Sequence, residues 1–572
     1  MKKTAKLLVA LLVLSLVFGL LAGCGETKAP EATKAPEATK APEATKAPEQ
    51  KEDDPAEPTE ELKGAYNLPL VDEVTTLTHW GTMRSTCLMY VDTFAETDPI
   101  VAAEEYTNVH LESITVSGKQ GTELFPVFIA GGEYTDFIGN ISNLYAGGMD
   151  AAIEDEVIID LNPYVEEYAP NYWDVVMENP DYLRMLRTDS GNMPVFSKIT
   201  PDAAGVLMGL AIRQDWLDEL KLDVPETYDE LHDVLVAFKN ELNIESPLWI
   251  DYQGTGRNNT MVAGFNIAAS NNPKASGAAL PFYVDNGTVK SGWNESALKD
   301  YLKLMKDWYD EGLIWEGFAS DANVGISIAT SEALPDVLAG KIGVVFLEYA
   351  DITNFPLNAD DGQSGMTWTA MGNPVQTKGE KDHICASPDA VTYKWAISTE
   401  CENVELACAY VDFFYTDLGA DLANYGIEGK AYNWENGKRV FTDLIMNNPD
   451  QIDVGVATSI YAADDQPFKS SFERYELLYA PECVQAIRDW GESTDSSMFF
   501  PVGASLTADE STTYNDAFSE VSTYVSETLP KFILGELNLE GDFDAYLAQV
   551  ETLGIETCIE CQQAAYDRYI KR

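Results

Sequence analysis

From about Tyr66 to the C-terminus, short β-rich runs alternate with amphipathic helical patterns. This alternation constrains the fold most, because strand faces and helix stripes need a partner layer, and alternating them builds α/β lobes. Val74-Thr75-Thr76-Leu77-Thr78 reads as a strand ending at His79-Trp80-Gly81. Asp136-Phe137-Ile138-Gly139-Asn140 reads as another, after a Gly131-Gly132 turn. Ile212, Trp216, Leu217 and Leu220 share a helical face that Pro225 breaks. Thr227 and Glu230 predict a capping box ahead of Leu231, Val234, Leu235 and Phe238. Asp285-Asn286-Gly287 predicts a hairpin turn between two short strands. Leu298, Tyr301, Leu302, Met305, Trp308 and Tyr309 predict a helix closed by Gly312, and a stripe from Phe543 to Leu553 stops at Gly554. A chain of 572 residues accommodates about three domains, or two large ones.

The N-terminus is of another kind. Lys2, Lys3 and Lys6 precede an apolar run from Leu7 to Ala22, which is short for a membrane span and reads as a signal peptide. It ends in Leu21-Ala22-Gly23-Cys24, which resembles the lipobox of bacterial lipoproteins, where the cysteine is diacylated after cleavage. Two acyl chains anchor stably where one is marginal. A repeated hexapeptide of Thr, Lys, Ala, Pro, Glu and Ala follows, with no large apolar residue to build a core. It reads as a tether with polyproline II character.

Charge and missing motifs exclude several functions. Lys and Arg number 37 against 94 Asp and Glu, a formal charge of −57. Such a chain repels phosphate backbones, so nucleic-acid binding is not expected. The four histidines, His79, His110, His232 and His383, have no zinc-site spacing. Cys558-Ile559-Glu560-Cys561 lacks a second cysteine pair or a nearby histidine. Buried thiols, a disulfide at 558/561 or 401/408, and a metal all remain open for the cysteines. No nucleophile elbow or phosphate-binding loop occurs, and acidic pairs such as Glu166/Glu167 do not stand out among 94 acids. The chain reads as a binder rather than an enzyme, with no cofactor.

Four motifs carry a resemblance: Arg213-Gln214-Asp215-Trp216-Leu217 through Val224-Pro225-Glu226-Thr227; Ala339-Gly340-Lys341-Ile342-Gly343; Asn424-Tyr425-Gly426-Ile427-Glu428-Gly429; and Gln563-Ala564-Ala565-Tyr566-Asp567-Arg568-Tyr569. In this order they resemble extracellular solute-binding proteins of family 1, and within them the large lipoprotein branch of Gram-positive bacteria. The resemblance implies a type II, periplasmic-binding-protein-like α/β fold related to maltose-binding protein. Each of its two lobes is a mixed sheet flanked by helices, with the ligand cleft at the hinge. Carried over by order of elements, 1–23 is the signal peptide and 24–65 the lipidated cysteine and tether. Lobe one is then 66–208 plus 345–395, and lobe two 209–344 plus 396–572. The implied function is a monomeric substrate-binding component of an ABC importer, anchored at the outer face of the membrane, that passes an oligosaccharide to permease subunits. Alternatives are a binder of peptide or another organic solute, a sensor subunit of the same fold, or an extracellular glycosidase. Many members of the branch carry a calcium loop after the helix corresponding to 227–239. Here that place reads Asn240-Glu241-Leu242-Asn243-Ile244-Glu245-Ser246, without the alternating Asp/Asn and central Gly, so no metal is carried over.

Sugar rings present apolar C–H faces to flat aromatics, while their hydroxyls need polar partners, and ligand sites favour domain interfaces. Aromatics beside strand ends are therefore the expected platforms: Trp80, Tyr252, Tyr349 and Trp434. Asp136, Asn140, Arg257 and Glu348 are the expected hydroxyl partners. Trp216 and Trp308 fall on helix stripes and are expected in the core; Trp293 is ambiguous.

Overall fold

The computed structural model describes residues 68–572, except 204, 251–259, 271–281, 322–327, 386–389, 463–464 and 502. Four strands come first: β1 (Thr75–Met83), β2 (Val109–Ser117), β3 (Phe137–Gly139) and β4 (Phe196–Ile199). There follow β5 (Met208–Arg213), β6 (Ala269–Ser270), β7 (Phe282–Asp285), β8 (Thr288–Ser291), β9 (Val344–Glu348), β10 (Trp368–Met371) and β11 (Ile384–Cys385). Last come β12 (Val391–Ile397) and the hairpin β13 (Tyr432–Glu435) and β14 (Lys438–Phe441).

The first lobe is built on the sheet β2-β1-β3-β12-β4, with β2, β1 and β3 parallel and β12 antiparallel to both its neighbours. A parallel sheet needs helical crossovers and is covered on both faces. Helices Asp98–Thr107 and Gly118–Gly131 supply the first two crossovers. The latter opens with a reciprocal capping box between Ser117 and Gln120. Strand alternation sends Leu77 and Met83 into the larger core and Trp80 to the opposite face.

The second lobe centres on the antiparallel sheet β10-β5-β9, in which every residue of β5 is buried. Helix Tyr228–Glu241 buries Leu231, Val234, Leu235 and Phe238, as its periodicity predicts. At its start the Thr227 side chain accepts from Glu230 N, while the Glu230 carboxylate takes the N–H of Glu226. The β7–β8 turn places Asn286 and Gly287 at φ of 49° and 83°, the left-handed pair that a tight hairpin requires. Trp308 and Trp293 are core residues. Trp216, also in the core, lies 4.3 Å beneath the Arg213 guanidinium. Arg213 is buried and held by the Asp215 carboxylate through two bonds of 2.8 and 2.7 Å, so the Arg-Gln-Asp-Trp motif is a structural lock.

Core membership divides the chain differently from the expected boundaries. Side chains from 77–199 and 390–468 form one core, and those from 206–384 and 483–561 another. The stretch 345–384 therefore belongs to the second lobe and 396–468 to the first, opposite to the sequence expectation. Strand pairing is the reason: β9 and β10 flank β5, whereas β12 inserts between β3 and β4.

The chain passes between the cores near 200–206, 385–390 and 469–473, and these crossings are strapped together. Ile199 N donates to Phe468 O at 3.0 Å, Ser470 N to Ile199 O at 2.7 Å, and Thr200 N to Ala390 O at 2.8 Å. The Asp202 carboxylate accepts from Ser471 Oγ and Phe472 N. Asn424 explains the Asn-Tyr-Gly-Ile-Glu-Gly motif: its Nδ2 donates to Lys469 O and its Oδ1 accepts from Ser471 N. The neighbouring Gly426 has φ of 79°, and a Cβ there would lie 2.2 Å from Tyr461 O, so only glycine fits.

The six cysteines whose side chains are described, Cys87, Cys401, Cys408, Cys483, Cys558 and Cys561, are buried and form no disulfide. Burial pushes the thiols of Cys401 and Cys558 up to about 12, which keeps them protonated and unreactive. Among the described residues, no helix is long and apolar enough to cross a membrane.

Candidate ligand cleft

In sheets of this kind, ligands bind beyond the carboxyl ends of the parallel strands. In the first lobe that edge carries Arg84 after β1, Asn140 after β3, the start of β12 and the end of β4. It faces the second lobe across two cavities.

The wider cavity has a volume of about 790 Å³. The first lobe lines it with the helix start at Ser142 and Asn143, the 185–190 loop and Val391, Thr392 and Tyr393. The second lobe contributes Gly503, Ser505, Leu506, Thr507, Arg568 and Arg572. An ion network closes its rim. Arg568 Nε donates to Asp189 at 2.6 Å and Arg568 Nη1 to Glu510 at 2.7 Å, while Arg572 Nε donates to Asp189 at 2.8 Å. Arg572 Nη1 also donates to the carbonyls of Arg187 and Gly503. Paired with Arg568, Glu510 is held below the usual carboxylate range. The C-terminal Gln-x-x-Tyr-Asp-Arg-Tyr motif thus ties the last helix to the first lobe through Arg568. It also ties it to the β7–β8 hairpin, where Gln563 accepts from Val289 N at 2.7 Å.

The smaller cavity, about 200 Å³, lies beside the hinge. Arg84 and Lys198 come from the first lobe, Tyr349 from the end of β9, and Arg474, Tyr475 and Tyr479 from the chain after the third crossing. The Tyr349 ring meets those of Tyr479 and Tyr475 edge-on, at 4.7 and 5.7 Å between centroids. A third cavity, about 740 Å³, lies wholly on the second lobe, beside the Asp285–Lys290 ion pair.

The expected site residues divide between these surroundings. Tyr349 lines the hinge-side cavity. Glu348, one residue earlier, is an exposed residue at the end of β9 whose carboxyl is raised by partial burial. Asn140 caps β3 at the carboxyl edge, with φ of 58°, accepting from Asn143 beside the wider cavity. Trp80 lines neither cleft cavity. Strand β1 does not stop at His79-Trp80-Gly81 but runs to Met83, which puts Trp80 inside the sheet face. There it is 3% exposed, stacked 5.2 Å from Phe128 and tilted against Phe125. Asp136 precedes β3, at the edge away from the cleft, and its carboxylate accepts from Thr78 N and Oγ1, both at 2.7 Å. Trp434 is exposed on the β13–β14 hairpin of the first lobe, under the Arg439 guanidinium at 4.6 Å. Tyr252, Arg257 and Cys24 lie outside the described residues.

Sequence reasoning passed over Arg84, Lys198 and Arg474. The available signal was their scarcity: an arginine straight after the first strand stands out in a chain with 37 basic residues. No group of three or more His, Cys, Asp or Glu side chains arranged for a metal occurs among the described residues.

The comparisons with known proteins agree with this architecture. The model of the bacterial extracellular solute-binding protein family matches residues 91–421, more than half of the chain. The chain belongs to this family. Among curated members, lipoprotein LipO of Bacillus subtilis is 24% identical over 78% of this chain and 84% of its own. The polygalacturonan/rhamnogalacturonan-binding protein YtcQ of the same organism is 20% identical over 81% and 86%. Among solved solute-binding proteins, an HMO-binding, ABC-transporter-associated one from Bifidobacterium longum infantis superposes with a TM-score of 0.69 at 19% identity. That match covers 88% of this chain and all of the other, and it shows the two-lobe type II fold. YtcQ and the Bifidobacterium protein are named as binding proteins.

Proposed function

We propose that this chain is the capture component of an ABC importer, anchored through acyl chains on Cys24 at the outer face of the cell membrane and specific for an oligosaccharide. The observation that carries the reading is the 790 Å³ cavity walled by both lobes, a volume within the range of small-ligand sites. Its rim offers amide, hydroxyl, carboxylate and guanidinium groups, the partners that sugar hydroxyls need. LipO is named a lipoprotein, YtcQ a polygalacturonan/rhamnogalacturonan binder and the Bifidobacterium protein an HMO binder, which supports both the anchor and the ligand class. The repetitive segment after Cys24 acts as a spacer that lets the lobes reach a permease. Capture works by closure about the strapped crossings: a ligand touching both lobes binds the closed state better and shifts the population towards it.

A thermal-shift screen of the mature chain against oligosaccharides tests this. A ligand present at 100 times its Kd adds about 2.7 kcal/mol of stability. Chromatography after long incubation should return that ligand intact, and conversion to product would favour a glycosidase. Intact mass of membrane-extracted protein should show two acyl chains, and Cys24→Ala should release the protein or block its processing.

A further inference from the structure

Resting on that reading, we infer that the wider cavity seats a neutral pyranose unit on the first lobe, its ring laid on Tyr393 and two adjacent hydroxyls paired with the Arg187 guanidinium. Both side chains line the cavity.

Tyr393 stands near the start of β12, on the edge where sheets of this kind bind their ligands. Strand alternation would give it the face of Trp395, inside the larger core. The pairing of β12 with β4, however, shifts register between these two residues. Such irregularities re-aim side chains and recur next to functional sites. Tyr393 accordingly packs at the border of both first-lobe cores, half-buried, with its ring on the cavity. Its hydroxyl donates to Met185 O, which holds the ring in place. Burial pushes the phenol up to about 12, so it remains a donor at neutral pH. Among the described residues no aromatic ring covers it, whereas Trp80 is stacked against Phe128. A held, uncovered ring suits the apolar C–H face of a pyranose.

Arg187 is fixed by its main chain. Its N–H donates to Leu183 O at 3.1 Å, and its carbonyl accepts from Arg572 Nη1 at 2.6 Å. Its guanidinium makes no hydrogen bond or ion pair among the described residues, and Nε is buried without a partner. A donor left in that condition is costly, and oxygens brought to the fork remove the cost. The other two arginines of the cavity are committed, Arg568 to Asp189 and Glu510, and Arg572 to Asp189.

Charge balance favours hydroxyls over a carboxylate. The described lining carries three acids, Asp150, Glu154 and Asp189, against three bases, Arg187, Arg568 and Arg572. With no net charge in the cavity and −57 on the chain, no field draws an anionic sugar in. Because the uncommitted groups belong to the first lobe, the saccharide docks there and the second lobe closes over it.

Calorimetry on the mature chain tests the inference with cellotriose, maltotriose, trigalacturonate and carboxyl-reduced trigalacturonate. A neutral probe should bind more tightly than trigalacturonate. Tyr393→Leu and Arg187→Gln should each weaken that neutral probe about 10-fold or more. Tyr393→Phe, which restores a ring, should recover most of the loss at that position. The apo melting temperature of Arg187→Gln should match wild type, since the guanidinium makes no bond to lose. If Tyr393→Leu melts early, Arg187→Gln and Tyr393→Phe decide the matter. Wild-type affinity in Arg187→Gln, or tighter binding of trigalacturonate than of its reduced form, overturns the inference and leaves sugar capture standing. If none of the four probes binds, the same variants are measured on the tightest saccharide of the wider screen. Wild-type affinity there, or a ligand without a neutral pyranose ring, overturns the inference. Failure of every saccharide overturns both readings.

Discussion

The interior of the first lobe and the seam between the lobes use similar residues to opposite ends. In the interior, Trp80, His79 and Trp395 are enclosed by their own neighbours. His79 lies tilted against Trp395, 4.6 Å between ring centroids, and its Nε2 has no hydrogen-bond partner among the described residues. In the seam, Tyr349 is almost as buried, at 6% exposed against 3% for Trp80, but its ring borders open volume and three cations. Burial alone therefore does not separate a packing aromatic from a binding one. Register does: Trp80 lies in mid-strand, whereas Tyr349 stands just past the end of β9.

The largest effect that would break this contrast is at Trp80. Trp80→Ala should lower apo stability by about 3–5 kcal/mol, the range for deleting a large aromatic from a packed core, measured by denaturant unfolding. Its ligand affinity should stay within a few-fold of wild type under native conditions. A stable variant with lost affinity would move Trp80 to the seam.

His79 gives the second test. Burial lowers its imidazole from the ordinary 6.5 to about 3. The unfolded chain therefore takes up a proton below pH 6.5 that the folded chain refuses until about pH 3, and stability falls as pH falls through that window. At about 1.4 kcal/mol per pH unit, roughly 2 kcal/mol should go between pH 6.5 and 5. Asp412 works the other way. Burial raises its carboxyl from 3.8 to about 7 despite bonds from Asn171 and Tyr172, so its contribution falls as pH rises between those values. Unfolding of His79→Gln across pH 4.5–7 should show the Asp412 trend unmasked. A pH profile parallel to wild type would mean His79 is not held neutral.

Much of the fold was legible because periodicity and turn chemistry are local. The helix faces of 228–241 and 298–310 and the Asn286-Gly287 turn follow from short windows of sequence. Exchange of chain between lobes was not legible, since whether β12 pairs with β3 or with β5 depends on long-range partners. The site divided on the same principle. A first strand read as ending at Thr78, five residues short of Met83, turned Trp80 into a cleft residue, while Arg84, the residue that does follow β1, carried no aromatic signal. Tyr349 does stand just past the end of β9, beside the hinge-side cavity.

Asp189 tests the seam from its far side. From the first lobe its carboxylate bridges Arg568 and Arg572. Asp189→Asn should cost about 1–2 kcal/mol, less than a fully buried pair because water reaches part of the network. It should also open the cleft, raising the radius of gyration of the apo protein in small-angle scattering. Unchanged scattering together with unchanged stability would reduce the network to surface decoration.

The smallest expected effect belongs to Trp434, which lies in neither region. Its ring is 48% exposed, and its main contacts are the Arg439 guanidinium and an edge-on approach to Tyr432 at 6.4 Å. Arg439 is fixed independently, with Nη2 bound to both oxygens of Asp421 at 2.8 Å and Nη1 to Glu473 at 3.0 Å. Removing the indole therefore leaves the guanidinium paired, and the loss is confined to one exposed cation–π contact of about 0.5–1 kcal/mol. Trp434→Ala should lower stability by no more than that and leave affinity unchanged. A sugar-stacking platform behaves oppositely, keeping apo stability while binding weakens by about 1–3 kcal/mol, or roughly 5- to 150-fold. Denaturant unfolding and calorimetry on this one variant separate the two. A large loss of affinity would extend the seam onto the β13–β14 hairpin and make Trp434 the exposed counterpart of Tyr349.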